Sequence, residues 1–368
     1  MSSKIKDREE LLHLSQIIDS FYDYSDDALT ELHSYCREVI SKTRKSDLEL
    51  LDFRPDWVDR VAQCINVNQQ ILDDAVFHFA GDQFLSPESQ KAEQRNLSRT
   101  RSTLKQIVRE WSTEGRPERA ALFHPIVEAF KRHLPVGLRV PRILIPGCGL
   151  GRLPFELARA GYSALGNEFS YHMLIMTNFI LNSGLECEQQ TVFPFATIRS
   201  NNLASSWMPI HGNSHPLRPI RFPDVAPMEA LQSAGEISMA AGEIVEVFKN
   251  QPGAFDGIAT CFFIDTAKNI MQYIRLFAEL LPPGGIWVNC GPLQWHFAGE
   301  STTISLELSW TEVRKLISKY FTFLEEEDVK SGYAGNVGSM SRSVFQCAFF
   351  VCQRNDCVQS GESHAVYC

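Results

Sequence analysis

An α/β fold with a helical N-terminal region is predicted by three features of the 368-residue sequence. From Val140 onward, short apolar runs alternate with helical segments, the pattern of parallel strands joined by crossover helices. One of those runs, Ile143-Leu-Ile-Pro, leads without interruption into a glycine-rich turn. Before residue 135 or so, apolar residues recur at three- and four-residue steps, which is helical periodicity.

Taken in order, Leu11, Leu12, Leu14, Ile17, Ile18 and Phe21 share one helical face. Ile65, Ile71, Leu72, Val76 and Phe79 share another, after a charged connection containing Arg44-Lys45-Ser-Asp and Phe53-Arg-Pro-Asp. Gln83 to Ser102 is polar, with Ser86-Pro87-Glu88 offering a helix start, and further helices run from Ser102 to Trp111 and from Pro117 to Leu134. Strands are expected at Arg142–Pro146, Ser163–Glu168, Phe255–Phe263, Gly285–Cys290 and Phe345–Cys352. Helices are expected at Leu153–Ala160, Ser170–Leu181, Asn269–Leu281 and Trp310–Tyr320. This divides the chain into a helical region (1–135), an α/β core (136–356) and a short tail (357–368). Residues 184–235 interrupt the core with Ser, Asn, His and Pro, and read as a long irregular insertion of the kind that often carries binding loops.

Composition narrows the function. Hydrophobic residues make up 44% and charged residues 21%, the balance of a globular protein. A net charge of -9 disfavours broad nucleic-acid binding. No apolar run approaches the ~18–20 residues of a membrane span, and the N-terminus lacks the apolar core of a secretory signal. A soluble intracellular protein is expected, in the cytoplasm and also the nucleus. The ten cysteines form no C-x-x-C pair and several sit in strand-like runs, so buried free thiols are expected rather than disulfides. The histidines are scattered without a ligand cluster, so no metal is expected.

The sharpest motif is Gly147-Cys-Gly149-Leu-Gly151-Arg-Leu, directly after a strand. Glycine admits positive φ and close backbone approach, so such a turn can hold a nucleoside cofactor at a helix start. The dinucleotide fingerprint G-x-G-x-x-G fails here, because the final position falls on Arg152 or Pro154. An NAD-linked dehydrogenase is therefore disfavoured. The spacing G-x-G-x-G resembles the first motif of the class I S-adenosylmethionine (SAM) methyltransferases, whose fold is Rossmann-like. Glu168 ends the second strand, where a carboxylate can accept both ribose hydroxyls. Gly242-Glu243-Ile244 precedes the next long strand, where this fold places a residue near the adenine, and Leu280-Leu-Pro-Pro-Gly-Gly-Ile resembles its later helix-turn-strand element.

Several longer words are more specific. Gly147-Cys-Gly-Leu-Gly-Arg-Leu, Gly166-Asn-Glu-Phe-Ser, Thr260-Cys-Phe-Phe-Ile-Asp-Thr-Ala-Lys-Asn, Gly291-Pro-Leu-Gln-Trp-His-Phe, Ser102-Thr-Leu-Lys-Gln-Ile-Val-Arg-Glu-Trp-Ser and Ser305-Leu-Glu-Leu-Ser together resemble the carnosine N-methyltransferase family, over roughly residues 60–355. The resemblance implies a seven-stranded sheet of order 3-2-1-4-5-7-6 with the last strand antiparallel. It implies SAM as cofactor and methylation of the imidazole of carnosine (β-alanyl-L-histidine) to give anserine, with other histidine-containing dipeptides also eligible. It places Gln106 and Arg109 over SAM, on a helix that by itself reads as an ordinary solvated face. Gly147, Gly149, Gly151, Glu168, Glu243, Ile244 and Cys261 complete the cofactor set. It also places Asp265 and His296 against the substrate imidazole, with Tyr333 at the same site. Phe345 falls where better-known members carry a tyrosine, which puts the preferred dipeptide in question.

The residues suit that chemistry. A free imidazole titrates near 6.5, so most of it carries a lone pair at neutral pH, and the enzyme's task is positioning. Asp265 can accept the remaining N–H and favour the positive charge that develops on the ring; its rival role is to cap the following helix. His296 can orient the ring or help remove its proton. Protein-histidine or small-amine methylation, and a silent scaffold binding a partner through 184–235, remain the alternatives. The expected partner is a small dipeptide, without nucleic acid or membrane. A homodimer is compatible with the sequence, which leaves the oligomeric state open.

Overall fold

The computed structural model describes residues 2–50, 56–81, 92–204, 215–232, 234–300 and 305–356, with side chains from residue 8 onward. The proposed helix start at residues 86–88 lies outside the described residues, as does the tail from 357. Among the described residues no helix is long and apolar enough to cross a membrane.

The N-terminal region supplies α1 (Ser2–Tyr22), α2 (Tyr24–Lys42), α3 (Lys45–Leu50), α4 (Trp57–Ala80), α5 (Gln94–Trp111) and α6 (Arg116–His133). The core then alternates: β1 (Arg142–Pro146), α7 (Arg152–Arg159), β2 (Ser163–Glu168) and α8 (Tyr171–Asn182). It continues with β3 (Gln190–Val192), β4 (Ile220–Phe222), α9 (Pro227–Leu231), β5 (Ile237–Ala241), α10 (Ile244–Phe248) and β6 (Gly257–Cys261). The last elements are α11 (Ile270–Leu280), β7 (Ile286–Gly291), α12 (Trp310–Ile317), β8 (Phe321–Ser331) and β9 (Phe345–Arg354).

Seven strands form one sheet in the order β5-β2-β1-β6-β7-β9-β8. Numbering only these strands along the chain gives 3-2-1-4-5-7-6, the order expected. β1 pairs in parallel with β2 and β6, while β9 runs antiparallel to both β7 and β8. Side chains alternate between the two faces, as the two-residue period of a strand requires. On one face Ile143, Ile145 and Val288 pack under Leu122, Ile126 and Phe130 of α6. On the other, Leu144 and Trp287 pack with Ile274 and Phe277 of α11. Helix α6 is therefore a layer of the α/β core, although it precedes residue 136.

The described parts of residues 184–235 hold more regular structure than their composition suggests. β3 and β4 form an antiparallel pair, and Val192, Phe195, Leu217, Ile220 and Phe222 are buried with Ile65, Ile71 and Leu72 of α4 in a third apolar cluster. Asn68 of α4 seals the joint: its Oδ1 accepts the Phe193 N–H at 2.7 Å and its Nδ2 donates to the Phe193 carbonyl at 3.0 Å. The polar residues hid apolar ones spaced widely enough to escape a periodic pattern. Much of the insertion is thus the seat of the N-terminal helices, not a free loop.

Candidate active site

At the carboxyl ends of β1 and β6 the chain makes two non-standard turns. Gly147, Gly149 and Gly151 all adopt positive φ, and Phe262, just beyond β6, does so at 52° despite its side chain. A Cβ on Gly149 would stand 2.5 Å from Glu110 Oε1, and one on Gly147 would stand 2.3 Å from the Phe263 ring. Bare backbone at these positions is thus required by close approach of the protein's own side chains. The positive φ at all three glycines is as expected for such a turn. The cleft remaining beside the turn is lined by Gln106, Arg109, Glu110, Gly147, Gly149, Cys261, Phe262 and Tyr333, among others.

Helix α5 closes this cleft. Its face is buried rather than solvated, with Gln106 and Arg109 each 6% exposed and Glu110 1%. Arg109 Nε donates to Glu118 Oε1 at 2.5 Å, Nη1 stands 3.6 Å from Glu110, and its guanidinium lies 4.5 Å from the centre of the Tyr333 ring. Arg109 Nη2 is buried without a partner, as is Gln106 Oε1, whose amide Nε2 donates to the Tyr333 hydroxyl at 2.6 Å. A buried donor and a buried acceptor left unpaired in one cleft cost free energy unless a ligand completes them, about 1–3 kcal/mol each. An amino acid end group, with a carboxylate for Arg109 and an ammonium for Gln106, has the complementary chemistry. The residues present therefore fit the methionine end of SAM.

Glu110 was not singled out in the sequence, where it looks like one more charge on a helix face. Its Oε2 accepts the Leu150 N–H at 3.1 Å and the Arg152 N–H at 3.3 Å, so it caps the start of α7. Burial pushes its carboxyl above the usual range, against the opposing pull of Arg109 and the two amides. Glu168 ends β2 as expected. Its Oε2 takes the Gly149 N–H at 3.0 Å, and its Oε1 takes the Phe169 and Ser170 N–H groups, each at 2.9 Å. A carboxylate offers about four acceptor positions. Glu168 thus retains room for about one ribose hydroxyl rather than both. Burial raises its pKa, and the three amides partly offset this.

The remaining cofactor candidates take different places. Gly151 opens α7 with φ 78° and lies outside the cleft lining. Glu243 caps α10, accepting the Glu246 N–H at 3.0 Å, and Ile244 is buried in the apolar core beneath. Asn167 ties this corner to β2 by donating to the carbonyls of Ala240 and Gly242. The Cys261 thiol lines the cleft and is pushed up to about 12 by burial, although Arg109 pulls the other way, so it stays protonated.

Asp265 lies one short turn beyond β6 and is 1% exposed. Its Oδ2 accepts the Gln294 N–H at 2.8 Å, while Oδ1 is buried without a partner. It does not cap α11, because Asn269 does, accepting the Met271 N–H at 3.0 Å. Burial raises the Asp265 pKa, with the Gln294 amide and the nearby His296 opposing it. The His296 backbone N–H donates to the Asp265 carbonyl at 3.0 Å, while its side chain is exposed. Phe262 joins the two halves of the rim: its ring centre is 4.9 Å from that of Tyr333 and 5.7 Å from that of Phe345. The Cys347 thiol, behind this aromatic group, lies in the field of both Arg109 and Asp265. Gln106, Arg109, Gly147, Gly149, Cys261 and Tyr333 thus share one cleft. Phe345 packs on Phe262 of its lining, whereas Asp265 and His296, neighbours of each other just beyond β6 and β7, are not among the lining residues.

The strand order, the glycine turn and the cleft define a class I SAM-dependent methyltransferase. The sequence pattern of the carnosine N-methyltransferase family matches residues 86–356. A carnosine N-methyltransferase of Mus musculus is 35% identical over 95% of this chain and 88% of its own length. One from Schizosaccharomyces pombe is 32% identical over 94% of this chain and 97% of its own length. Among solved structures, the N-methyltransferase NodS of Bradyrhizobium japonicum in complex with S-adenosyl-L-homocysteine (SAH) covers 69% of this chain and 98% of its own, at 12% identity and a TM-score of 0.39. The chain belongs to the carnosine N-methyltransferase family.

Proposed function

We propose that the protein methylates the imidazole of carnosine to give anserine, with SAM as methyl donor. The observation that carries this reading is a pair of unpartnered buried groups: Arg109 Nη2 in the cleft and Asp265 Oδ1 just beyond the carboxyl end of β6. SAM supplies an electrophilic methyl group on a sulfonium. Arg109 and Gln106 hold the amino acid end, Glu168 takes a ribose hydroxyl, and Glu243 sits at the adenine end. Asp265 Oδ1 accepts the N–H of the neutral imidazole, which fixes the tautomer and turns the other nitrogen's lone pair toward the methyl carbon. As the bond forms, positive charge grows on the ring and the adjacent carboxylate stabilises it. His296, bonded through its backbone N–H to Asp265, is assigned to orient the ring and to accept its N–H proton once the methyl is on. Tyr333 and Phe345 wall the substrate side.

Incubation with methyl-labelled SAM and a panel of carnosine, homocarnosine, free histidine and cell extract tests the reading. Label is expected on carnosine, on the imidazole. Label on none of the imidazole compounds would contradict it. Phe345 brings no hydroxyl to this wall, so homocarnosine is included as the second dipeptide.

A further inference from the structure

Glu118 lies on α6, outside the cleft lining, yet it touches both halves of the site. Its Oε1 accepts Arg109 Nε at 2.5 Å and the backbone N–H of Ala334 at 3.3 Å. Ala334 directly follows Tyr333 and holds φ at 48°, a conformation unfavourable for a residue with a Cβ. Something outside the turn must hold it there. One carboxylate oxygen therefore carries the arginine that faces the cofactor and the strained turn that presents the substrate-side tyrosine. Arg109 reinforces the link by lying 4.5 Å over the Tyr333 ring, and Gln106 by donating to its hydroxyl. Glu118 is 13% exposed at its side chain, so this bridge is shielded from competing water.

We infer that Glu118 is a positioning residue that couples the two binding events: fixing Arg109 on a carboxylate at the cofactor site fixes the Ala334 turn, and with it Tyr333 on the dipeptide. The inference rests on the function proposed above. Arg109 Nε is held by Glu118 and Nη1 stands 3.6 Å from Glu110, so Nη2 is the one nitrogen of the guanidinium left without a partner. A carboxylate on Nη2 orders the guanidinium, Glu118 and the turn together, so the second ligand meets a wall that is already set. By linkage the effect is reciprocal, the dipeptide tightening the cofactor by the same factor.

Isothermal titration of carnosine, with and without saturating SAH, measures the coupling directly. Wild type is expected to bind carnosine at least about fivefold more tightly when SAH is present. In Glu118→Gln, which keeps the size and removes the charge, the factor is expected to fall below about twofold while Tm stays near wild type. Ala334→Gly, which leaves every side chain of the bridge in place and relaxes the turn, is expected to shrink it as well. Equal carnosine affinity with and without SAH in wild type overturns the inference without any variant, as does an undiminished factor in Glu118→Gln. A wild type that neither binds nor methylates carnosine instead contradicts the proposed function itself, a result readable separately from the coupling.

Discussion

At the scale of single residues, the site holds acids where burial works against them. Asp265, Glu110 and Glu168 all have carboxyls raised above the usual range by desolvation. A carboxyl whose folded pKa exceeds its unfolded one binds its proton more tightly in the folded state. Stability therefore falls as pH rises from the unfolded pKa, about 4, through the folded one. Asp265→Asn removes that cost at Asp265. Its Tm is expected to exceed wild type at neutral pH, and the difference to shrink as pH falls through the raised pKa, as differential scanning fluorimetry between about pH 8 and about pH 4 will show. A Tm deficit at neutral pH would mean that the carboxylate serves the fold. Asp265 was visible in the sequence because a short motif placed it beyond a strand end. Glu110 and Glu118 were not, since a buried carboxylate and a solvated one look alike on a charged helix until the neighbouring layer is known.

At the scale of elements, the glycine turn, α5 and the loop after β8 make the cleft. Gly149→Ala combines a positive φ of 58° with a Cβ 2.5 Å from Glu110 Oε1, so Glu110 and the start of α7 must shift. SAH affinity, by titration, is expected to fall at least about tenfold, a loss of about 1.4 kcal/mol. Gly253→Ala is the control. Its φ is 64°, but nothing lies within 4 Å of the added Cβ, so it is expected to cost about 1–2 kcal/mol of stability and leave SAH binding unchanged. The apolar strands β1, β6, β7 and β9 and the helices α7, α8, α11 and α12 were legible because hydrophobic runs and helical periodicity are strong local signals, whereas the five-residue α9 and α10 were too short to show a period. β8 was not, as it carries Glu325-Glu-Glu-Asp on the outermost position of the sheet, where charge guards an edge. β5 escaped for another reason: Ile-Ser-Met-Ala-Ala is short, small and only half-buried.

Across the whole molecule, the insertion between β2 and β5 is tied to the loop after β8 that bears Tyr333. Arg218, in the insertion, makes a two-point contact with Glu114 at 2.6 and 3.1 Å and donates to Asn336 Oδ1 at 3.0 Å. Asn202 pairs with Ser339, the Leu203 N–H donates to the Gly338 carbonyl, and the Met340 N–H donates to the Asn201 carbonyl. The same insertion packs on α4, so the N-terminal helices, the insertion and the loop bearing Tyr333 form one chain of contacts. Arg218→Ala leaves Glu114 without its buried partner and is expected to cost about 3 kcal/mol of stability. It is also expected to raise the KM for carnosine more than that for SAM, measured by steady-state kinetics at each fixed co-substrate. Equal effects on both would mean that the latch merely supports the fold. No local pattern announced this linkage, because its partners are distant in sequence and polar.

The division of labour between Arg109 and Asp265 is the centre of the account, and one paired measurement tests it. SAH affinity and the single-turnover rate of methyl transfer to carnosine are measured on the same preparations of wild type and Asp265→Asn. The variant is expected to bind SAH within about twofold of wild type and to transfer methyl at least about 100-fold more slowly. Transfer at the wild-type rate would contradict the assignment of the imidazole to Asp265, and a matching loss of SAH affinity would contradict the separation of the two sites.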